Sequence, residues 1–117
     1  MSNEQEKQEW YEFNQETVDA LIEDGSNKSL PHTIEYHFAH ANFDVLEKAA
    51  VDAFKAGFEV GDAEELMLDD GGTIFCFDAV AERMLDIDAI NKDTDALLTI
   101  ADKHSIHYDG WGTYFIE

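Results

Sequence analysis

An α+β fold is predicted by three features of this 117-residue sequence. Stretches with helical spacing of apolar residues alternate with short β-like runs. Glycine or Asx signals punctuate nearly every boundary between them. The sheet-forming runs also differ in kind, one alternating cleanly and another apolar at both parities.

From Glu4 to about Glu23 the spacing is helical. Trp10, Phe13, Thr17 and Leu21 lie on one stripe, with Tyr11, Val18 and Ile22 beside it. Glu9, Glu12, Glu16, Asp19 and Glu23 recur on the other side as a ladder of one sign. Gly25 ends the segment, and Ser26 to Ser29 reads as a loop. Leu30 to His40 then alternates, Ile34, Tyr36 and Phe38 to one side and Thr33, Glu35 and His37 to the other, which predicts a half-buried strand. Asn42 is a good N-cap for a second helix with an inward stripe of Phe43, Leu46, Ala50, Ala53 and Phe54, and Gly57 is its stop.

Phe58 to Val60 begins a second strand, which Gly61 to Glu65 interrupts. Leu66 and Leu68 share parity with Phe58 and Val60, so the strand resumes there. Asp69-Asp70-Gly71-Gly72 signals a hairpin turn. Thr73 to about Ala81 is apolar at both parities and belongs in the middle of the sheet. Asp86 or Asp88 caps a third helix to about His104, with Ile90, Thr94, Leu97, Leu98 and Ala101 inward, and Ile106 to Phe115 is the last strand.

The order is α-β-α-β-β-α-β. After the first helix it is the order of a ferredoxin-like two-layer sandwich, here a four-stranded antiparallel sheet with three helices on one face. The other face is then left uncovered. Residues 1–117 are expected to form a single domain, with 1–24 as an additional N-terminal helix and 30–117 as the core.

Charge narrows the function. Seven Lys and Arg stand against 27 Asp and Glu, a formal net charge of −20. Phosphate backbones and anionic membranes both require cations that this chain lacks, so neither nucleic acid nor membrane is expected as a partner. Basic proteins and cations are the electrostatically favoured ones. The single cysteine, Cys76, lies in an apolar run and behaves as a small hydrophobe rather than a nucleophile. The N-terminus carries no readable signal peptide and no apolar run is long enough to span a membrane, so the cytoplasm is the expected compartment.

The chemical motifs are weak. Three of the five histidines, His32, His37 and His40, crowd the first strand, but His32 and His37 have opposite parity and point to opposite faces. Asp86, Asp88, Asn91 and Asp95 fail the calcium-loop pattern, because Ile90 occupies a ligand position. Gly110-Trp111-Gly112 lacks the third glycine, the helix and the lysine of a phosphate loop. No nucleophile elbow is present. Neither a catalytic residue, a metal nor a cofactor is implied, and the chain is read as a non-enzyme.

Several stretches together resemble the regulator of ribonuclease E activity B family. They are Leu21-Ile22-Glu23-Asp24-Gly25-Ser26, Thr33-Ile34-Glu35, the run from Phe43 to Lys55, and Tyr108-Asp109-Gly110-Trp111-Gly112-Thr113-Tyr114-Phe115. The similarity runs in register from about Leu21 to Glu117. It implies a cytoplasmic bacterial protein that binds ribonuclease E at its C-terminal scaffold region and inhibits its RNA processing without cleaving RNA. Relatives in that family often continue past the Tyr-Asp-Gly-Trp stretch into a long acidic tail, whereas this sequence stops at Glu117. The alternative is an acidic nucleic-acid mimic that occupies basic grooves of several proteins.

The partner surface is expected on the uncovered sheet face, at Glu35, His37, Asp109 and Trp111. Trp111 has the parity of Asp109 unless a glycine bulge switches its face. The competing surface is the acidic side of the first helix, at Glu9, Glu12, Glu16 and Asp19. The protein is expected to be a monomer.

Overall fold

The computed structural model describes residues 4–113. Its elements are α1 (Glu4–Glu23), β1 (His32–His40), α2 (Phe43–Lys55), β2 (Glu59–Val60), β3 (Glu64–Met67), β4 (Thr73–Arg83), α3 (Ile87–His104) and β5 (His107–Thr113). Tyr114 and Phe115, expected in the last strand, lie outside the described residues.

Local chemistry sets the helix ends. Asn42 and Asp86 accept from the backbone N–H of Val45 and Asp88 and so cap α2 and α3. All three helices close in the same Schellman arrangement. Ser26 N–H donates to Leu21 O (2.9 Å), Phe58 N–H to Ala53 O (3.2 Å) and Ile106 N–H to Ala101 O (2.9 Å). The third closure places a serine, Ser105, at φ 54° where the other two use glycine.

All strand pairings are antiparallel. β1 lies between β4 and β5, and the far side of β4 pairs with β2 and then β3 in series. The sheet therefore has five strands rather than four, because the expected second strand is split. The split carries a register shift. From Val60 to Glu64 the chain advances four residues, while the facing strand advances only three, from Ala79 to Cys76. One extra residue flips every side chain beyond it. Val60 faces the helices with Ala79, whereas Leu66 turns to the opposite face with Ile74, so the shared parity of Leu66 and Val60 does not survive.

β5 contains a second shift. Between Tyr36 and Phe38 the facing strand runs from Trp111 to Tyr108, three residues against two. Gly110 sits in this bulge at φ 92°, and a Cβ there would lie 3.3 Å from Cζ3 of Trp10. Both conformation and space demand glycine. The bulge places Tyr108 and Trp111 on the same face, opposite Phe38 and Tyr36.

The core lies on that face. Ile34, Tyr36 and Phe38 are fully buried, with Phe77, Ala79 and Ala81 from β4, Leu46, Ala49 and Ala53 from α2, and Ile90, Leu97 and Leu98 from α3. Phe38 stacks on Phe77 with ring centroids 5.0 Å apart. Each such large side chain contributes roughly 1.5–3 kcal/mol by burial. Tyr36 donates to Asp93 (2.9 Å), which Arg83 grips through Nε and Nη2 at 3.0 and 3.2 Å. Burial, then the Asp93 carboxylate, hold the Tyr36 phenol far above its ordinary range, so it stays a donor.

Two inward stripes differ from expectation. On α2, Ala49 is buried and Phe54 is 69% exposed. On α1 the buried positions are Asn14 and Val18, while Phe13 and Ile22 lie at the surface. The cause on α1 is a polar mooring. Asn14 accepts from Trp111 Nε1 (2.6 Å) and donates to Asn91 (2.9 Å) and Thr94 (3.1 Å), rotating this side of the helix inward. Trp10 packs edge-on against Tyr108 beside it.

Candidate protein-binding face

The face of the sheet opposite the core collects carboxylates. On β1 it carries Thr33, Glu35, His37 and Ala39, whose register partners on β4 are Glu82, Val80, Asp78 and Cys76. Glu64 and Leu66 extend it through β3, opposite Cys76 and Ile74. His37 and Asp78 sit at its centre, Nδ1 to Oδ1 at 2.7 Å, each about two-fifths exposed. A carboxylate on Nδ1 directs Nε2 away from the pair and toward β5, where it lies 3.8 Å from where a Gly112 Cβ would be.

Two hollows flank this pair. One, of about 490 Å3, is lined by Glu35, Asp62, Glu64 and Asp78. The other, of about 310 Å3, brings Asp109 together with His37, Asp78, Leu66, Ile74 and Cys76. Cys76 lies between them. Burial first, then the charges of Glu64 and Asp78, push its thiol above the ordinary range, which makes it a poor nucleophile at neutral pH. Asp109 is exposed, with its carboxylate 3.3 Å from His107 Nε2. The chemistry this surface offers is a field of acceptors for Lys or Arg side chains, with an apolar floor at Leu66, Ile74 and Val80.

Of the four expected residues, Glu35, His37 and Asp109 lie on this face. Trp111 does not. The Gly110 bulge turns it inward, where it is 5% exposed beneath α1 with its indole N–H on Asn14. Sequence reasoning missed Asp78, Glu64 and Asp62. Asp78 had a signal, as the one charge within the apolar run of β4, but its partnership with His37 exists only through the register. The competing residues Glu9, Glu12, Glu16 and Asp19 are all exposed along α1. His32 lies on the buried side, donating through Nδ1 to Leu30 O (2.8 Å) and accepting at Nε2 from Ser26 (2.8 Å). Among the described residues no group of three or more His, Cys, Asp or Glu side chains is placed to hold a metal ion. No helix among them is long and apolar enough to cross a membrane.

Fold and face together define an acidic α+β protein whose open sheet is chemically suited to a cationic partner. Comparison with known proteins supplies the family. The family model described as Regulator of ribonuclease activity B matches residues 11–113. A protein of Pseudoalteromonas atlantica with that name is 77% identical over 113 residues, covering 97% of each chain. Its namesake in Alteromonas mediterranea is 74% identical over 94% of this chain and 83% of its own. In Aeromonas hydrophila the identity is 59%, over 94% and 96%. This chain belongs to the Regulator of ribonuclease activity B family.

Proposed function

We propose that this protein regulates a ribonuclease by binding it, and that the partner is ribonuclease E, gripped at its C-terminal scaffold region so that RNA processing and decay are inhibited. Family membership supports the regulatory role. The observation that carries the mode of action is the open face, where Glu35, Asp62, Glu64 and Asp78 gather around one hollow on a chain of net charge −20. A flexible, basic, RNA-binding scaffold is the complement of such a surface, and opposite charge accelerates encounter as well as fixing specificity. Occupying the scaffold would exclude RNA and partner enzymes. In this reading the protein acts in the cytoplasm as a monomeric single domain, binds no RNA and performs no catalysis. Its fold is a ferredoxin-like sandwich whose second strand is broken in two.

The test is binding of the purified protein to full-length and scaffold-deleted ribonuclease E, with cleavage of a model RNA followed alongside. Binding to the full-length enzyme alone, with slowed cleavage, is expected. Equal binding to both forms, or direct micromolar binding to the RNA, refutes the reading. Glu35→Lys tests the sheet, and Glu12→Lys with Glu16→Lys tests α1. The exposure of all four acids on α1 favours one second reading, an acidic mimic of nucleic acid that captures many basic proteins. Loss of ribonuclease binding only in the α1 variant would refute the sheet face, and a pull-down that captures many unrelated basic proteins in place of one dominant ribonuclease would favour the mimic.

A further inference from the structure

β2 and β3 form one outer edge of the sheet, and among the described residues no strand pairs beyond them. The hairpin shows which backbone groups face outward. Leu68 N–H donates to Gly72 O at 2.7 Å, and Leu68 O accepts from Gly71 N–H at 3.0 Å, so Leu68 turns its backbone toward β4. Antiparallel pairs alternate, which directs the N–H and C=O of Met67 and Glu65, opposite Thr73 and Phe75, away from the sheet. Such a row is a template for one more strand.

Different chemistry lies on its two sides. On the open face are the carboxylates of Glu64, Asp62 and Asp78. On the helix side Phe54 and Val51, 69% and 47% exposed, meet Val60 in an apolar hollow of about 230 Å3. Met67, 79% exposed, continues the helix-side row of β3. The other edge, β5, is broken by the Gly110 bulge and bordered by Trp10 and Phe13 of α1.

We infer that the β2–β3 edge takes an extended, basic segment of a partner protein as an added strand. Alternate Lys or Arg side chains of that segment meet the acidic face, and the intervening apolar ones meet Phe54, Val51 and Val60. A second copy is the wrong occupant, since it would set Glu64 and Glu65 against their own kind and join two bodies of charge −20.

The inference rests on the reading that the partner is a basic ribonuclease scaffold, and two arms of the experiment separate them. In the first, a synthetic alternating Lys-Val peptide is added and amide hydrogen exchange is followed. Protection of the Glu65 and Met67 amides is expected, and none with alternating Lys-Ser or Glu-Val peptides. In the second, ribonuclease E binding is compared for the wild type, Met67→Pro and Phe54→Ser. Proline at 67 removes an N–H that the sheet does not use, so the melting curve should hold while affinity falls about tenfold or more. Phe54→Ser, at an exposed position, gives the same readout should Met67→Pro disturb the fold. Absence of protection at Glu65 and Met67, or unchanged ribonuclease binding in both variants, overturns the edge proposal and leaves ribonuclease regulation standing. Edge protection by the Lys-Val peptide without any ribonuclease E binding by the wild type overturns the choice of partner alone.

Discussion

Replacing Asn14 with leucine should cost this protein a large part of its stability. Leucine has the same number of side-chain heavy atoms, so the change leaves no void, and the penalty is polar. Asn14 is fully buried and makes three hydrogen bonds, to Trp111 Nε1, Asn91 and Thr94. The Trp111 N–H, sealed beneath α1, would lose its acceptor, at about 1–3 kcal/mol, and the two bonds donated by Asn14 would forfeit about 0.5–1.5 kcal/mol each. The sum, about 2–6 kcal/mol, is a substantial share of the roughly 5–15 kcal/mol that holds a domain together. In urea denaturation the midpoint should fall accordingly, and thermal melting should drop by on the order of 10 °C. Exchange of the Trp111 indole proton should change from slow to fast. A variant within about 0.5 kcal/mol of the wild type, with the indole proton still protected, would show that Asn14 is not the mooring of α1.

Gly110→Ala should destabilise by about 1–3 kcal/mol, measured by thermal melting, because alanine is strained at φ 92° and its Cβ would press on Trp10. A neutral effect would remove the reason given for glycine in the bulge. Asp52 accepts from His104 Nε2 (2.7 Å) and Lys103 Nζ (3.0 Å), and these bonds, that of His104 foremost, hold its carboxyl below the ordinary range. A depressed folded pKa stabilises above the ordinary carboxylate value and loses that contribution as pH falls through the folded one. The gap between wild type and Asp52→Asn in urea melts should thus be present above the ordinary carboxylate range and close below about pH 4, and a gap that persists in acid would contradict the assignment. Cys76 should react with thiol reagents more slowly than a free cysteine at pH 8, and Glu64→Gln should speed the reaction. Labelling of the wild type at the free-thiol rate would refute the effect of burial and neighbouring charge.

The legible parts of the fold are those decided within a few residues. Asn42, Asp86, Gly25 and Gly57 mark helix boundaries because caps and Schellman closures are local. β1 is readable because its two faces differ so sharply, and the outward placement of Glu35 and His37 follows directly. What escaped depends on partners distant in sequence. The parity of Leu66 changed with an unpaired residue between Val60 and Glu64, and the inward turn of Trp111 with another beside Gly110. Neither shift can be assigned until the facing strand is known. Helical spacing predicts Phe54 in the core because such a stripe is broad, yet Ala49 fills that side. The acidic hollow is hidden for a similar reason, since Asp78 nears Glu35 only through the β1–β4 register, and Asp62 and Glu64 join them only through the split of the second strand.

The bulge at Gly110 links two parts of the molecule that are far apart in the chain. Its extra residue puts the second half of β5 out of phase with the first, and Trp111 meets Asn14 only because of that offset. Pairing the same residues without the extra one looped out would restore an even alternation, yet it would also swing the indole to the open face and leave the first helix without its anchor. At constant length, strand irregularity and N-terminal helix therefore stand or fall together: straightening β5 releases α1 from its anchor.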